Sequence, residues 1–105
     1  MFITVNHTED FTGGTKCLRP GMTLMIRKDH NNPYDDEAIA VYSEKKVKYG
    51  YVANSVHSVC RGTHSAGYIY ETFEEEAKCI VRFVSEEFAI AELCRDDEKQ
   101  IMLIQ

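Results

Sequence analysis

The stretch Arg27–Tyr42, RKDHNNPYDDEAIAVY, together with Val47–Asn54, VKYGYVAN, holds the pattern from which the fold follows. Met22 to Arg27 alternates loosely and reads as a strand that runs into Lys28-Asp29-His30. Asn31 to Asp36 reads as a turn. Asn and Asp side chains bond to backbone groups two residues on, and Pro33 sets its own φ. Ala38-Ile39-Ala40-Val41-Tyr42 is a strand, Ser43-Glu44-Lys45-Lys46 is its hairpin connection, and Val47 to Val52 returns beside it. Gly50 inside that return strand marks a bulge or a place where another backbone comes close. The turn also sets a phenol, Tyr34, beside a carboxylate, Asp35, near two cations, Arg27 and Lys28. A compact polar constellation on a rigid base is the usual layout of a binding site.

Working outward, Phe2-Ile3-Thr4-Val5 is short and β-branched and reads as a strand. Thr12-Gly13-Gly14-Thr15 and Leu18-Arg19-Pro20-Gly21 are turns. Asn54 or Ser55 is placed to cap a helix. Val56, Val59 and Cys60 follow at helical spacing and Gly62 would stop it, which predicts about two turns of helix. Thr63 to Gly67 is a polar loop, and Tyr68 to Glu76 fits either a strand or a second short helix. Ala77–Val84 and Phe88–Leu93 read as strands joined through Glu86-Glu87. Arg95–Lys99 is a charged turn and Ile101–Ile104 a last strand. The expected fold is mainly β: a small OB-like or SH3-like β-barrel of six or seven short strands with one or two short helices, as a single domain over residues 1–105.

Length and composition agree with this. The chain has 105 residues, 44% of them hydrophobic, which suits one core without tryptophan. No apolar run approaches the roughly 18 residues that span a bilayer. MFITVNHTED lacks the basic and apolar regions of a secretory signal, so a cytoplasmic location is expected and no membrane partner. Cys17, Cys60, Cys79 and Cys94 are widely spaced with no CxxC, and read as free thiols. Net charge is −5, from 12 basic and 17 acidic residues. It is unevenly spread: residues 71–99 hold ten acids and four bases, and the remainder is close to neutral. Bulk charge therefore disfavours non-specific DNA binding, while a small local basic site stays compatible with it.

Enzyme chemistry finds little support. His57, Cys60 and His64 supply three candidate ligands at short spacing, but a structural zinc site needs four and the other cysteines lie far off. No G-x-S-x-G elbow and no Walker loop occurs. Gly13-Gly14-Thr15-Lys16 is a turn followed by a lysine. The expectation is a non-catalytic protein with no metal and no cofactor.

The turn at 27–37 has two readings. In one, Asp35 caps the turn and Tyr34 lies over the barrel. In the other, Tyr34 stacks on a base or sugar while Asp35 accepts a hydrogen bond from a hydroxyl. Stacking on an aromatic ring tolerates any base. A carboxylate repels phosphate, so an aspartate in such a site implies contact with a neutral donor. Arg27 and Lys28 would then hold an adjacent phosphate.

The run Arg27-Lys28-Asp29, Asn32-Pro33-Tyr34-Asp35, Ala38-Ile39-Ala40-Val41, followed after a short hairpin by Gly50-Tyr51-Val52, resembles the core of the HIRAN domain. More loosely, the resemblance extends from Ile3 to Leu93. Val52-Ala53-Asn54-Ser55 through Arg61-Gly62-Thr63 and Ala66-Gly67 is similar to small stand-alone microbial members. The resemblance implies an OB-like barrel. In eukaryotic members the domain accompanies DNA translocases and grips the 3′ end of single-stranded DNA, in the setting of DNA repair. The Tyr and Asp of the N-P-Y-D turn correspond to Tyr34 and Asp35. An Arg-Tyr pair on the first strand completes the pocket in those members. The matching region here is taken as Glu9-Asp10-Phe11-Thr12, where Phe11 offers a stacking face and no arginine is present.

The expected nucleic-acid site is therefore Tyr34, Asp35, Phe11, Thr12, Arg27, Lys28 and Asn32, with single-stranded DNA or DNA 3′ ends as ligand. The alternative is a protein-interaction adaptor whose acidic 71–99 region docks a basic partner such as a DNA-processing enzyme.

Overall fold

Thr23–Lys28 and Ile39–Ser43, the two strands flanking the N-P-Y-D turn, pair antiparallel with Ile26 opposite Val41 and Lys28 opposite Ile39. The computed structural model describes residues 1–94. Its strands are β1 (Phe2–Asn6), β2 (Thr23–Lys28), β3 (Ile39–Ser43), β4 (Lys48–Val52), β5 (Glu76–Val84) and β6 (Ala89–Leu93). They close into a barrel in the order β1-β4-β3-β2-β5-β6, all neighbours antiparallel. This is the expected small mainly-β barrel, at six strands. The further strand expected at Ile101–Ile104 and the charged turn at Arg95–Lys99 lie outside the described residues.

Side chains alternate across each strand, so every second residue enters the barrel. Ile3 and Val5 from β1, Leu24 and Ile26 from β2, Ile39 and Val41 from β3, and Cys79 and Val81 from β5 are fully buried. Each large aliphatic group stabilises the fold by about 1.5–3 kcal/mol. β6 contributes only Ala89 and Ala91 to this interior. Their small size lets β1 and β5 approach from either side, as register pairs Ile3 and Val81 both with Ala91. β5 is long enough to pair with β2 through its first half and with β6 through its second, bending at an irregularity between Val81 and Phe83. The same device appears between β3 and β4. There Val41 faces Gly50 and Tyr42 faces Lys48, so Tyr49 is the extra residue of a bulge. Gly50 also shows the close approach: a Cβ on it would stand inside contact distance of the Asn6 carbonyl oxygen.

The helix falls elsewhere than the spacing predicts. Asn54 to Gly62 forms consecutive turns, with Ser58 and Val59 both donating to the Ser55 carbonyl. Val56 is 88% exposed and Val59 and Cys60 are only half-buried, so the supposed apolar face packs too little to hold a helix. The loop is instead tied sideways to β1. Ala53 N–H donates to Thr4 O (2.8 Å) and His64 N–H to Phe2 O (2.7 Å). The buried Thr4 hydroxyl takes Cys60 N–H (3.1 Å) and pairs with the Thr63 hydroxyl (2.8 Å). The α-helix is α1, Ala66–Ile69, capped by the Ser65 side chain, which accepts from Tyr68 N–H. A 3-10 turn, Tyr70–Thr72, follows it, which settles the ambiguous segment on the helical side. Ala66 and Ile69 are fully buried and join the core.

Among the described residues no helix is long and apolar enough to cross a membrane.

Candidate nucleic-acid interface

Asn32 organises the β2–β3 turn from inside. Its Oδ1 accepts from Tyr34 N–H (2.9 Å) and Asp35 N–H (3.1 Å). Asp35 carries the geometry onward: Oδ1 accepts from Glu37 N–H (2.9 Å) and Oδ2 from Asn54 Nδ2 (2.9 Å). Asn54 Oδ1 accepts from Gly67 N–H (2.7 Å). The carboxylate is thus oriented from both sides, and each oxygen keeps room for a second donor. With the turn's polar groups spent on itself, Tyr34 is left 94% exposed, its ring free.

A cavity of about 350 Å³ opens beside this turn. Asn32, Tyr34 and Asp35 line it from one side; Asn6 from the end of β1, with His7, Asp10 and Phe11 from the segment beyond it; Tyr51 and Asn54 from β4 and its exit. Phe11 and Tyr51 meet with ring centroids 5.9 Å apart at 58°. Phe11 remains 43% exposed. Asn6 lines the cavity, and its side-chain Oδ1 is buried with no hydrogen-bond partner. A buried unpaired acceptor is costly.

Of the expected residues, the structure brings together Phe11, Asn32, Tyr34 and Asp35. Thr12 sits next to Phe11, but its hydroxyl donates to Thr8 O and Gly14 O and serves the local turn. Arg27 and Lys28 do not line the cavity. Being adjacent on β2 they point to opposite sides. Arg27 pairs with Glu76 at 3.7 Å, its register partner on β5. Lys28 lies over the rings of Tyr70 (4.3 Å) and Phe73 (5.1 Å). Near it, His30 and Glu75 bond at 2.7 Å, and that hydrogen bond holds the Glu75 carboxyl below its ordinary range.

The cation beside the cavity is Lys48. Its Nζ stands over Tyr51 (4.4 Å) and Phe11 (4.8 Å) and donates to Tyr51 Oη (2.7 Å), which in turn donates to Asp29 Oδ2 (2.9 Å). Lysine followed three residues on by tyrosine is an unremarkable pair in sequence. It becomes a site only because the bulge at Tyr49 alters which residues share a face.

The matching of residues 9–12 to the first strand also needs correction. β1 ends at Asn6, and His7 adopts a left-handed backbone (φ 59°) that turns the chain into a 3-10 segment, Thr8–Asp10. The strand-end positions facing the cavity are therefore Asn6 and His7, and Phe11 reaches it from the segment beyond. The signal that could have found Asn6 is a polar residue closing a β-branched strand just before a turn.

Among the described residues no group of three or more His, Cys, Asp or Glu is arranged to hold a metal ion. Cys17, Cys60, Cys79 and Cys94 are all free thiols.

Comparison with known proteins points one way. The model of the HIRAN domain family matches residues 5–101. The chain is similar to the HIRAN domain of human HLTF, with a TM-score of 0.57 at 17% identity, over 96% of this chain and 80% of that one. It is also similar to a protein from Lactobacillus plantarum, with a TM-score of 0.56 at 21% identity, over 88% of this chain and 90% of that one. At these identities the two structures share the fold. No curated protein sequence matches.

Proposed function

Since this chain belongs to the HIRAN domain family, we propose that it is a non-catalytic nucleic-acid-binding module whose ligand is single-stranded DNA or a DNA end. The observation that carries this reading is the composition of the cavity. Phe11 and Tyr34 offer exposed rings, while the two carboxylate oxygens of Asp35 offer acceptors within one groove. Rings take bases whatever their identity. The acceptors suit a hydroxyl or an exocyclic amine, and a terminal sugar hydroxyl provides such a donor. Lys48 takes the phosphate role on electrostatic grounds, because Arg27 and Lys28 are held by Glu76 and by the Tyr70 and Phe73 rings.

Fluorescence anisotropy with oligonucleotides bearing a free or a blocked 3′-hydroxyl tests it. Tighter binding of the free end is expected. Equal affinity would remove end recognition, and absence of binding at low salt would remove nucleic acid altogether.

A second reading, an adaptor for a basic protein partner, is favoured by one observation: Glu71, Glu74 and Glu76 line a single concave patch with Phe73. A salt-sensitive pull-down of a DNA-processing enzyme that is unchanged by Tyr34→Ala would support it.

A further inference from the structure

We propose that a nucleic-acid strand held in the groove continues over a second surface, the stacked rings of His64 and Tyr68 beside Arg61, so that the domain engages several successive nucleotides. This deepens the nucleic-acid reading and rests on it.

Charge is the first argument. The chain carries −5 overall, yet from Lys45 to Tyr70 there is no aspartate or glutamate. That segment supplies Lys48 beside the first groove, Arg61 at the second surface, and His57 and His64. Among the described residues Arg61 forms no ion pair. A carboxylate that borders the path is Glu37, packed close to Gly67. In an acidic protein, this acid-free span is where a polyanion meets least repulsion.

Geometry is the second. His64 and Tyr68 stack with centroids 4.3 Å apart and planes 17° from parallel. Tyr68 is 61% exposed, so its outer face is open. Both residues are held in place before any ligand arrives. His64 forms a parallel bridge to Ile3, and Tyr68 N–H is bonded to the Ser65 cap at 3.1 Å. A preformed platform reduces the ordering cost of binding.

Continuity is the third. The second surface is a cavity of about 400 Å³ that includes Asn54, Val56, Arg61, His64 and Tyr68. Asn54 also lines the first groove, as do Ser55 and Ser58. Successive residues of the one loop, pinned to β1 at both ends, thus face the two surfaces.

The test compares a thymidine dinucleotide with a thymidine decanucleotide, both with free 3′ ends, by isothermal titration calorimetry on the full chain at low salt. The decanucleotide should bind roughly five- to hundredfold more tightly, the effect of one further stacked base. Tyr68→Ala should abolish this gain and leave the dinucleotide unaffected, and Tyr68→Phe should retain it. Val56→Glu, at an exposed position, should also abolish it by placing a carboxylate in the path; should Tyr68→Ala not fold, this variant decides alone. Affinity that does not grow with length in the unmodified chain, or a length gain that survives in either variant, overturns the second surface. Failure of the unmodified chain to bind either probe would instead overturn the nucleic-acid reading itself.

Discussion

Asp35 and Asn54, nineteen residues apart in the chain, are joined by a hydrogen bond of 2.9 Å from the amide nitrogen of one to the carboxylate of the other. Through its oxygen, Asn54 also takes the Gly67 N–H at the start of α1. One amide therefore ties the β2–β3 turn, the exit of β4 and the helix into a single wall of the groove. Asn54→Ala leaves a carboxylate oxygen and a backbone N–H without these partners. The expected loss of stability is about 1–3 kcal/mol, read from urea unfolding, with weaker oligonucleotide binding because Asp35 loses one of its two orienting donors.

Tyr34 makes the complementary case. Its side chain is almost wholly exposed, so Tyr34→Ala should leave the unfolding midpoint within error. Affinity for a single-stranded oligonucleotide should fall roughly five- to hundredfold, the weight of one stacking contact of about 1–3 kcal/mol. Unchanged binding in anisotropy titrations would remove the ring from the site.

Lys48 should reveal itself through salt. Lys48→Met removes the cation over Phe11 and Tyr51. The slope of log affinity against log salt should become shallower by about 1 if that ammonium neutralises one phosphate. Arg27→Met should leave the slope unchanged, since Arg27 is engaged with Glu76.

At Gly50 the constraint is space. A methyl group there would press on the Asn6 carbonyl, with Thr8 N also close. Both neighbours are backbone and cannot swing away. Gly50→Ala should cost about 1–3 kcal/mol in denaturant unfolding. It should weaken ligand binding as well, because Asn6 lines the groove.

Cys79 lies in the barrel interior, and burial, with a smaller effect from Cys94, pushes its thiol up to about 12. The thiolate is the reactive form, so in the native state at neutral pH mass spectrometry should show alkylation of the exposed Cys17 and Cys94 and none of Cys79. The sign for stability follows from the raised value. The folded state keeps its proton where the unfolded thiol, near 9.0, has lost it. This group's contribution is therefore intact below pH 9 and declines as pH rises from there toward about 12. Cys79→Ala should flatten that alkaline decline.

The strands were legible because alternation and β-branching report burial directly: Ile26, Ile39, Val41 and Val81 stand where the pattern predicts them, all facing inward. The loop at 54–62 misled because Val56, Val59 and Cys60 reproduce helical spacing while the turns are set by hydrogen bonds to Thr4, a residue some fifty positions away. In the site, the Asn32–Tyr34–Asp35 cluster was readable since its bonds are local. Lys48 was not, because its place depends on a bulge, and neither was Asn6, because its lack of a partner is a tertiary property. Arg27 and Lys28 looked close to the turn along the chain, but strand alternation and the register with Glu76 send them elsewhere.

The pairing of β1 with both β4 and β6 has one more consequence. A sheet without a free border cannot be lengthened by an incoming strand, so recruitment by β-addition, the common route for extended peptides, is closed to these six strands. Edge-to-edge self-association is suppressed for the same reason. Whatever this domain recognises must be met by side chains on its loops and barrel ends, which is where the sequence concentrates its rings, amides and lysine.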